Sequence, residues 1–351
     1  MTEENIKVFN KRKFSLQIDR ERFPDIEILD DDFKLASEDE KATFIEKAPS
    51  VSYWQDAWRR LKANKVAMVS LFFIIAVIVF AFLGPLFREG DYTTQFRGME
   101  NLHPNGRFPF GTDKLGRDLM LRTMYGTRVS LIVGVFASII VLIIGTLYGA
   151  IAGYAGGHLD NIMMRILDLV YSIPDVLVII LLSITIKMPM EQWVNNTKSP
   201  LAKSVATIGP GLISIFIAFG LLYWVGMARI IRGQVLTLKQ QEFITAVKAL
   251  GGSKKRVIFS HLFPNCIGQV IVMTAMQIPS AIFLESFLSF LGIGVSAPMT
   301  SLGAMASDAL GGIYSFPYRL IIPSIILSLM ILSLNLFSDG LRDAFDPRLK
   351  K

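Results

Sequence analysis

The sequence predicts an all-α polytopic membrane protein with six transmembrane helices. Of its 351 residues, 52% are hydrophobic and 19% are charged, which is too apolar for a soluble protein of this length. About 20 apolar residues are needed to cross the hydrocarbon core as a helix, and six segments approach that length. The bilayer is therefore the expected solvent of most of the chain.

Each predicted span is an apolar run. The third run is interrupted by Arg165, Asp168 and Asp175, but its later half is nearly continuous, and an even number of crossings places both ends on one side. Pro279 should kink the fifth span. The predicted spans are 66–87, 129–151, 162–186, 208–228, 267–292 and 320–337, which together define a transmembrane domain over residues 66–338.

The charges around the spans predict that both termini are cytoplasmic. Arg59, Arg60, Lys62 and Lys65 cluster just before the first span, and basic flanks favour the cytoplasmic side. The chain has a net charge of +7, and the excess lies in its membrane part. Such an excess reflects cytoplasmic loops and anionic lipid, so we predict no nucleic-acid partner.

The two ends of the chain are predicted to lie outside the membrane. Residues 1–50 are acidic and polar and lack the apolar segment of a signal peptide. We interpret them as a partly disordered cytoplasmic extension, and residues 339–351 as a short cytoplasmic tail.

Residues 51–65, VSYWQDAWRRLKANK, have an amphipathic pattern. The aromatic and leucine residues that mainly share one helical face are Tyr53, Trp54, Trp58 and Leu61. This pattern is typical of a helix lying along the inner leaflet. It also fits a simple aromatic and basic anchor of the first span.

The sequence predicts no catalytic residue, metal site or cofactor. No GxxxxGK[ST] motif occurs, so the chain has no P-loop for ATP. The three histidines are scattered, no HExxH motif exists, and one cysteine excludes the common thiolate metal sites. Serines within the spans, such as Ser138, Ser286 and Ser289, fit helix packing better than the nucleophile of an intramembrane protease.

Ionisable residues at membrane depth are costly, so each suggests a function. Glu285 lies beyond Pro279 and is followed by Ser286. Its carboxylate could line a translocation path, or it could find its polar partners on a neighbouring helix or subunit. Asp168 and Asp175, seven residues apart, are expected to share a helix face and leave the same two possibilities.

Residues 242–265, EFITAVKALGGSKKRVIFSHLFPN, form a polar, basic stretch between two long apolar runs. A short helical pattern ends at Gly251 and Gly252, three basic residues follow, and a second apolar stretch reaches Pro264. This order predicts a helix, a sharp turn and a second helix.

This stretch resembles the EAA signature of the membrane subunits of ABC importers. Thr245, Ala246 and Val247 align with its EAA, Gly251 with its glycine, and Pro264 with its proline. Thr245 replaces the acid, although Glu242 lies one helical turn earlier. Similar segments are FGTDKLGRDLMLRTMYGTRVSLIVG, YAGGHLDNIMMRILDLVYSIPDVLVI, ESFLSFLGIG and DGLRDAFDPRLK. Together they resemble C-type permease subunits of oligopeptide and dipeptide importers.

The resemblance implies the type I ABC importer permease fold and a coupling loop at residues 239–266. The short helix would dock in a groove of a cytoplasmic ATPase, and Gly251 would be needed where the chain reverses. ATP and Mg would be bound by the partner ATPases. The implied coupling residues are Glu242, Phe243, Thr245, Ala246, Val247, Ala249, Leu250, Gly251 and Pro264.

The resemblance also implies a multi-pass protein of the bacterial cell membrane with several partners. These are a homologous B-type permease subunit, two cytoplasmic ATPases, an extracellular substrate-binding lipoprotein and the peptide itself. The long segments 1–50 and 190–211 favour oligopeptides. Dipeptides or nickel are the alternatives within the family, and a proton-coupled secondary carrier using Glu285 and the two aspartates is the alternative outside it.

Residues 110–118 lie in the first external loop and are rich in glycine and charge. They fit a tight turn stabilised by its own ion pairs, or a surface that receives the substrate-binding protein. The residues concerned are Gly111, Asp113, Gly116, Arg117 and Asp118.

Overall fold

The computed structural model describes residues 52–197 and 199–345, and these residues are mostly helical. Within them the β pairing is an isolated bridge between Thr112 and Asp118. The helices are α1 Tyr53–Ala63, α2 Lys65–Phe82, α3 Leu119–Ala155, α4 Gly157–Tyr171, α5 Asp175–Asn196, α6 Pro200–Ile208, α7 Pro210–Leu222, α8 Trp224–Lys239, α9 Glu242–Ala249, α10 Phe263–Phe290, α11 Leu302–Ala309 and α12 Tyr318–Phe345.

The described residues contain six helical segments long and apolar enough to cross a membrane, as the sequence predicts. Two of them join neighbouring elements: α7 continues into α8, and a short helical stretch from Lys254 leads into α10. The six segments are Lys65–Phe82, Leu119–Ala155, Asp175–Asn196, Pro210–Lys239, Lys254–Phe290 and Tyr318–Phe345.

The third span differs from its prediction. Residues 162–186 do not form one helix, because α4 ends at Tyr171 and α5 begins at Asp175. Pro174 explains the break, since a proline disfavours the helical conformation of the residue before it and cannot donate a backbone hydrogen bond. Asp168 and Asp175 therefore lie on different helices and do not share a face.

The second and fifth spans extend beyond the apolar runs that predicted them. Each covers 37 residues, or about 55 Å at the helical rise of 1.5 Å per residue, whereas the hydrocarbon core is about 30 Å thick. Asp118 begins α3 by accepting a hydrogen bond from the Met120 N–H. Gly156, with φ of 67°, ends it.

A row of three glycines brings α3 against α8. Gly145, Gly149 and Gly153 recur every four residues, so they lie on one helix face. A Cβ atom at Gly149 would collide with the Ala228 carbonyl oxygen, and one at Gly153 would lie 2.8 Å from the Arg232 carbonyl oxygen. Small residues allow such close backbone approach, which drives helix association in lipid.

The two ends of the described chain pack together. Leu61 of α1 is buried with Ala67 of α2 and Ala344 of α12, while the rings of Trp54 and Phe345 meet edge to face at 5.8 Å. The predicted helix before the first span therefore exists, with Leu61 turned inward. Residues 339–345 continue α12 instead of forming a tail, and the predictions for 1–50 and 346–351 lie outside the described residues.

The glycine row predicts a specific loss of stability. Replacing Gly149 by alanine inserts a methyl group where the Ala228 carbonyl already lies, and overpacking of this kind costs about 1–3 kcal/mol. Thermal unfolding in detergent should show a lower midpoint for Gly149→Ala. Gly226→Ala is the matched control, because open space surrounds that helical glycine, and an unchanged midpoint for both variants would contradict the packing.

Candidate functional site

The polar segment between α8 and α10 forms the helix, turn and helix that its sequence predicts. The short helix α9 covers Glu242–Ala249. A second helical stretch begins at Lys254 and runs without interruption into α10. The chain thus returns towards the membrane at Lys254, about ten residues before Pro264, which lies inside a continuous helix.

Two glycines make the turn after α9, each for a different reason. The N–H of Gly252 donates to the Val247 carbonyl at 2.9 Å, and the N–H of Gly251 donates to the Lys248 carbonyl at 3.0 Å. This pair of bonds is the Schellman motif, which requires a left-handed residue. Gly251 supplies it with φ of 78°, whereas Gly252 lacks room for a Cβ, which would lie 2.6 Å from a Val247 methyl group.

One buried side chain fixes α9 to the membrane helices. Ile244 is fully buried in the main apolar cluster, which also contains Val257 and Leu262 on the returning chain. Val247 packs against the same cluster. Because interiors are close-packed, a displacement of α9 must carry the adjoining ends of α8 and α10 with it.

The opposite face of α9 is exposed and partly apolar. The side chain of Leu250 is 87% exposed and that of Phe243 is 41% exposed, and Phe259 and Phe263 are exposed on the returning chain. Exposed apolar groups collected in one polar segment mark an interaction surface. The exposed residues among those predicted for coupling are Glu242, Phe243, Thr245, Ala246, Ala249, Leu250, Gly251 and Pro264.

Three residues of this segment were not predicted for coupling. Phe259 and Phe263 extend the exposed apolar surface. They follow the turn and are four residues apart, a spacing that predicts one shared helix face. Ile244 anchors the helix, and its role depends on tertiary contacts with Val257 and Leu262 that no local pattern contains.

Glu285 does not line a path in this structure. Its side chain is fully buried, and hydroxyl groups surround the carboxylate. Ser130 of α3 donates to one oxygen at 2.8 Å and Ser289 donates to the other at 2.7 Å. Ser286 is buried beside it. Of the two possibilities that the sequence leaves open for Glu285, this conformation shows a neighbouring helix satisfying the carboxylate, and a proton relay through Glu285 would lack access to water. A place for Glu285 and Ser286 in the translocation path stays a prediction.

Asp175, the third residue predicted for the path, is exposed at the start of α5. Its Oδ1 accepts the N–H of Val176 at 2.9 Å, and its Oδ2 accepts the Tyr223 hydroxyl at 3.4 Å. Unlike Glu285, it is exposed in this subunit, and its place in the translocation path stays a prediction.

Residues 110–118, predicted to lie in an external loop, form the tight turn that their composition predicts. Asp113 holds the turn by accepting from Arg117 Nε at 2.7 Å and from Arg122 Nη1 at 2.5 Å. Asp118 pairs with Arg88. The turn also requires glycine at two positions. A Cβ atom at Gly111 would collide with the Leu102 carbonyl oxygen, and one at Gly116 would collide with the Phe96 carbonyl oxygen.

Burial contradicts a docking role for the residues predicted there. Gly111, Asp113, Gly116 and Asp118 are buried, and Arg117 is largely covered. Their charges act within the turn and cannot reach an approaching protein. The exposed residues of this turn are Lys114 and Leu115.

The ion pairs of the turn perturb the pKa of Asp113. Burial opposes ionisation of this carboxyl, but the backbone N–H of Arg117 and the guanidinium groups of Arg122 and Arg117 outweigh burial. Together they hold the pKa of Asp113 below its ordinary value.

Comparisons with known proteins cover nearly the whole described chain. Residues 145–351 match the family described as binding-protein-dependent transport system inner membrane component. Residues 52–104 match the N-terminal TM domain of oligopeptide transport permease C.

Individual relatives agree with these family matches. The dipeptide transport system permease protein DppC of Bacillus subtilis (strain 168) is 43% identical, over 93% of this chain and 95% of its own length. The oligopeptide transport system permease protein OppC of the same strain is 40% identical, over 86% of this chain and 92% of its own length. The OppC protein of Escherichia coli (strain K12) is 38% identical, over 85% of this chain and 92% of its own length.

The external turn generates a prediction about stability and pH. Asp113→Asn removes the closer of the two carboxylates that pair with the buried Arg122 guanidinium and leaves Asp308 at 3.4 Å, which should cost at most about 3–5 kcal/mol in the free energy of unfolding. Because the folded pKa is lowered, the stabilisation by Asp113 is present above its unfolded pKa of about 3.9 and is lost as the pH falls through the folded value. Thermal unfolding between pH 7 and pH 3 measures both effects.

The exposed Glu89 provides the control, because Glu89→Gln removes the same charge from the same loop without uncovering a buried cation. Equal unfolding midpoints for Asp113→Asn and Glu89→Gln would contradict the structural role of the pair.

Proposed function

Because the chain belongs to the family of binding-protein-dependent transport system inner membrane components, we propose that it forms half of the translocation path of an ATP-driven peptide importer. Its relatives are permeases for dipeptides and oligopeptides, which supports peptides as the cargo. A homologous permease subunit would form the other half, and an extracellular binding protein would deliver the peptide.

The exposed apolar face of α9 is the observation that carries this proposal. Leu250 and Phe243 are exposed in a segment that lies between two membrane spans and carries several lysines. An apolar helix face of this kind fits the groove of a partner protein. We assign that groove to a cytoplasmic ATPase, which would bind the ATP and Mg that this chain has no P-loop to hold.

The anchor at Ile244 gives the docked helix its mechanical role. Closure of two ATPases would move α9, and its packing on Val257 and Leu262 would pass the movement to α8 and α10. Rigid-body movement of packed helices is a common way to open one side of a site and close the other. The chain would therefore transmit work supplied by ATP hydrolysis in its partners.

The position of α9 sets the orientation in this proposal. With α9 in the cytoplasm, the loop that contains the turn at residues 110–118 is extracellular, and the ends of α1 and α12 lie in the cytoplasm. The cluster of Lys and Arg before the first span supports the same orientation.

Competition for uptake tests the cargo. Unlabelled peptides of two to six residues, and nickel, would compete against a labelled peptide in cells that depend on this transporter. Peptides should compete and nickel should not. The peptide length that competes best would distinguish an oligopeptide permease from a dipeptide permease, and competition by nickel alone would contradict the proposal.

The turn at Gly251 gives a test of coupling. Alanine at this position has space, because nothing lies within 4 Å, but it must adopt a left-handed conformation that costs about 1–2 kcal/mol. An energy of this size changes an equilibrium ratio roughly five- to thirtyfold. We therefore expect Gly251→Ala to lower ATP-dependent peptide uptake by about that factor. The transporter would be assayed in proteoliposomes.

Gly233→Ala is the control for this test, because Gly233 lies in the regular helix α8 with open space around it. Wild-type uptake by Gly251→Ala would show that the turn is not needed for coupling.

The exposed Leu250 tests the docking surface directly. Leu250→Asp should leave the fold intact, since surface substitutions usually change stability by less than about 0.5 kcal/mol. Affinity for the ATPase subunits should fall about tenfold or more if Leu250 lies at the centre of the contact. Co-purification with the ATPases measures this, and Tyr314→Asp, at a residue that is 99% exposed near the other end of the spans, is the control.

A further inference from the structure

The chain breaks its helical structure between α4 and α5. Residues 172–174 separate α4 from α5, and all residues from 171 to 177 are exposed in this subunit. The break lies beside Tyr223, between α7 and α8, because the Tyr223 hydroxyl reaches Asp175. Lipid offers no hydrogen-bond partner to irregular backbone, so a break next to a membrane span favours a face covered by protein or water.

Asp175 places a carboxylate on this face without a cation. Its contacts with the described residues are the Val176 N–H and the Tyr223 hydroxyl, which are both neutral donors. An acidic side chain in a membrane span without a cationic partner suggests a function.

The comparison with Asp168 shows what is unusual about Asp175. Asp168 is also exposed, but Arg229 donates to its carboxylate at 3.0 Å. Asp160 likewise receives two bonds from Arg232, at 2.5 and 2.6 Å. Of these three carboxylates, two are neutralised by α8 and Asp175 is left for a cation from outside the described chain.

A cleft of about 480 Å³ lies beside Asp175. Val176 and Tyr223 form one side, and residues from α10 and α12 form the other. The lining is aromatic, aliphatic and neutral polar, and it carries no charge. The lining residues are Val176, Tyr223, Pro279, Ser280, Phe283, Leu284, Phe287, Ile331 and Asn335. Such a surface tolerates varied side chains. Asp175 does not line the cleft itself but is the neighbour of Val176 and accepts the hydroxyl of Tyr223, which both do.

We propose that Asp175 binds the terminal α-ammonium group of the peptide as it passes through this cleft. The ammonium group is the one cation that every linear peptide carries whatever its sequence. The Tyr223 hydroxyl orients the carboxylate. The amide of Asn335 is available to the peptide backbone, and the Ser280 hydroxyl, which donates to the Met276 carbonyl, can still accept a hydrogen bond. This inference rests on the proposed function and names the chemical group that the path recognises.

The test is uptake by the full transporter, with its partner subunits and binding protein, in proteoliposomes. One peptide is supplied with a free amino terminus and again after N-acetylation. For each peptide, the loss is the uptake by the wild-type transporter divided by the uptake by Asp175→Asn. The loss for the free peptide is then divided by the loss for the acetylated peptide. The preference of the binding protein for one of the peptides cancels in this quotient. We expect a quotient of about ten, because a hydrogen bond between charged groups is lost only with the free peptide.

Asp168→Asn is the matched control and should give a quotient of about one, since Arg229 already occupies that carboxylate. If the wild-type transporter refuses the acetylated peptide, Asp175→Lys decides the question instead. A lysine would repel the ammonium group, so uptake of the free peptide should fall at least about tenfold below that of Asp175→Asn.

Equal losses for the two peptides, or equal uptake by Asp175→Asn and Asp175→Lys, would overturn the assignment of Asp175. These results would leave the proposed function intact as long as uptake still depends on ATP. By contrast, a wild-type transporter that imports neither peptide would contradict the proposed function itself.

Discussion

The absence of water in the hydrocarbon core determines how this protein is built. A polar group there must find a partner within the protein, because lipid offers none. The helices satisfy the backbone, and the polar side chains follow the same rule. Hydroxyl groups surround Glu285, for example, and donate to both of its carboxylate oxygens. The exposed carboxylate of Asp175, which meets only neutral donors among the described residues, is therefore informative.

The constraint also divides the acidic residues into those that hold the fold and those that remain available. Glu285 connects α10 to α3 through Ser130 and is sealed from both solvents. Asp113 organises the turn at residues 110–118 in the same way, by pairing with two arginines. Neither group can meet a ligand without giving up structural contacts. Function is left to surfaces whose groups are not already used, which are α9 at one end and the cleft beside Tyr223 in the middle.

The sequence predicts the local features well and the tertiary ones poorly. The helix α9 and the turn at Gly251 depend on residues close together in the chain, and both form as expected. The break before Asp175 was visible in Pro174, but the long apolar run around it outweighed that signal. The hydroxyl partner of Glu285 was not predictable, since Ser130 lies 155 residues away. The external turn was predicted, whereas its burial was not, because burial depends on segments far along the chain.

The length of α3 has a geometric consequence for any movement of the subunit. This single helix runs from the external turn, where Asp118 begins it, to the opposite side, where Gly156 ends it. A stiff rod of about 55 Å that pivots by about 5° at its middle shifts its two ends by roughly 2.4 Å in opposite directions. One small rocking motion could thus loosen contacts on one side of the membrane while tightening them on the other. The same helix would keep the two sides from being open together.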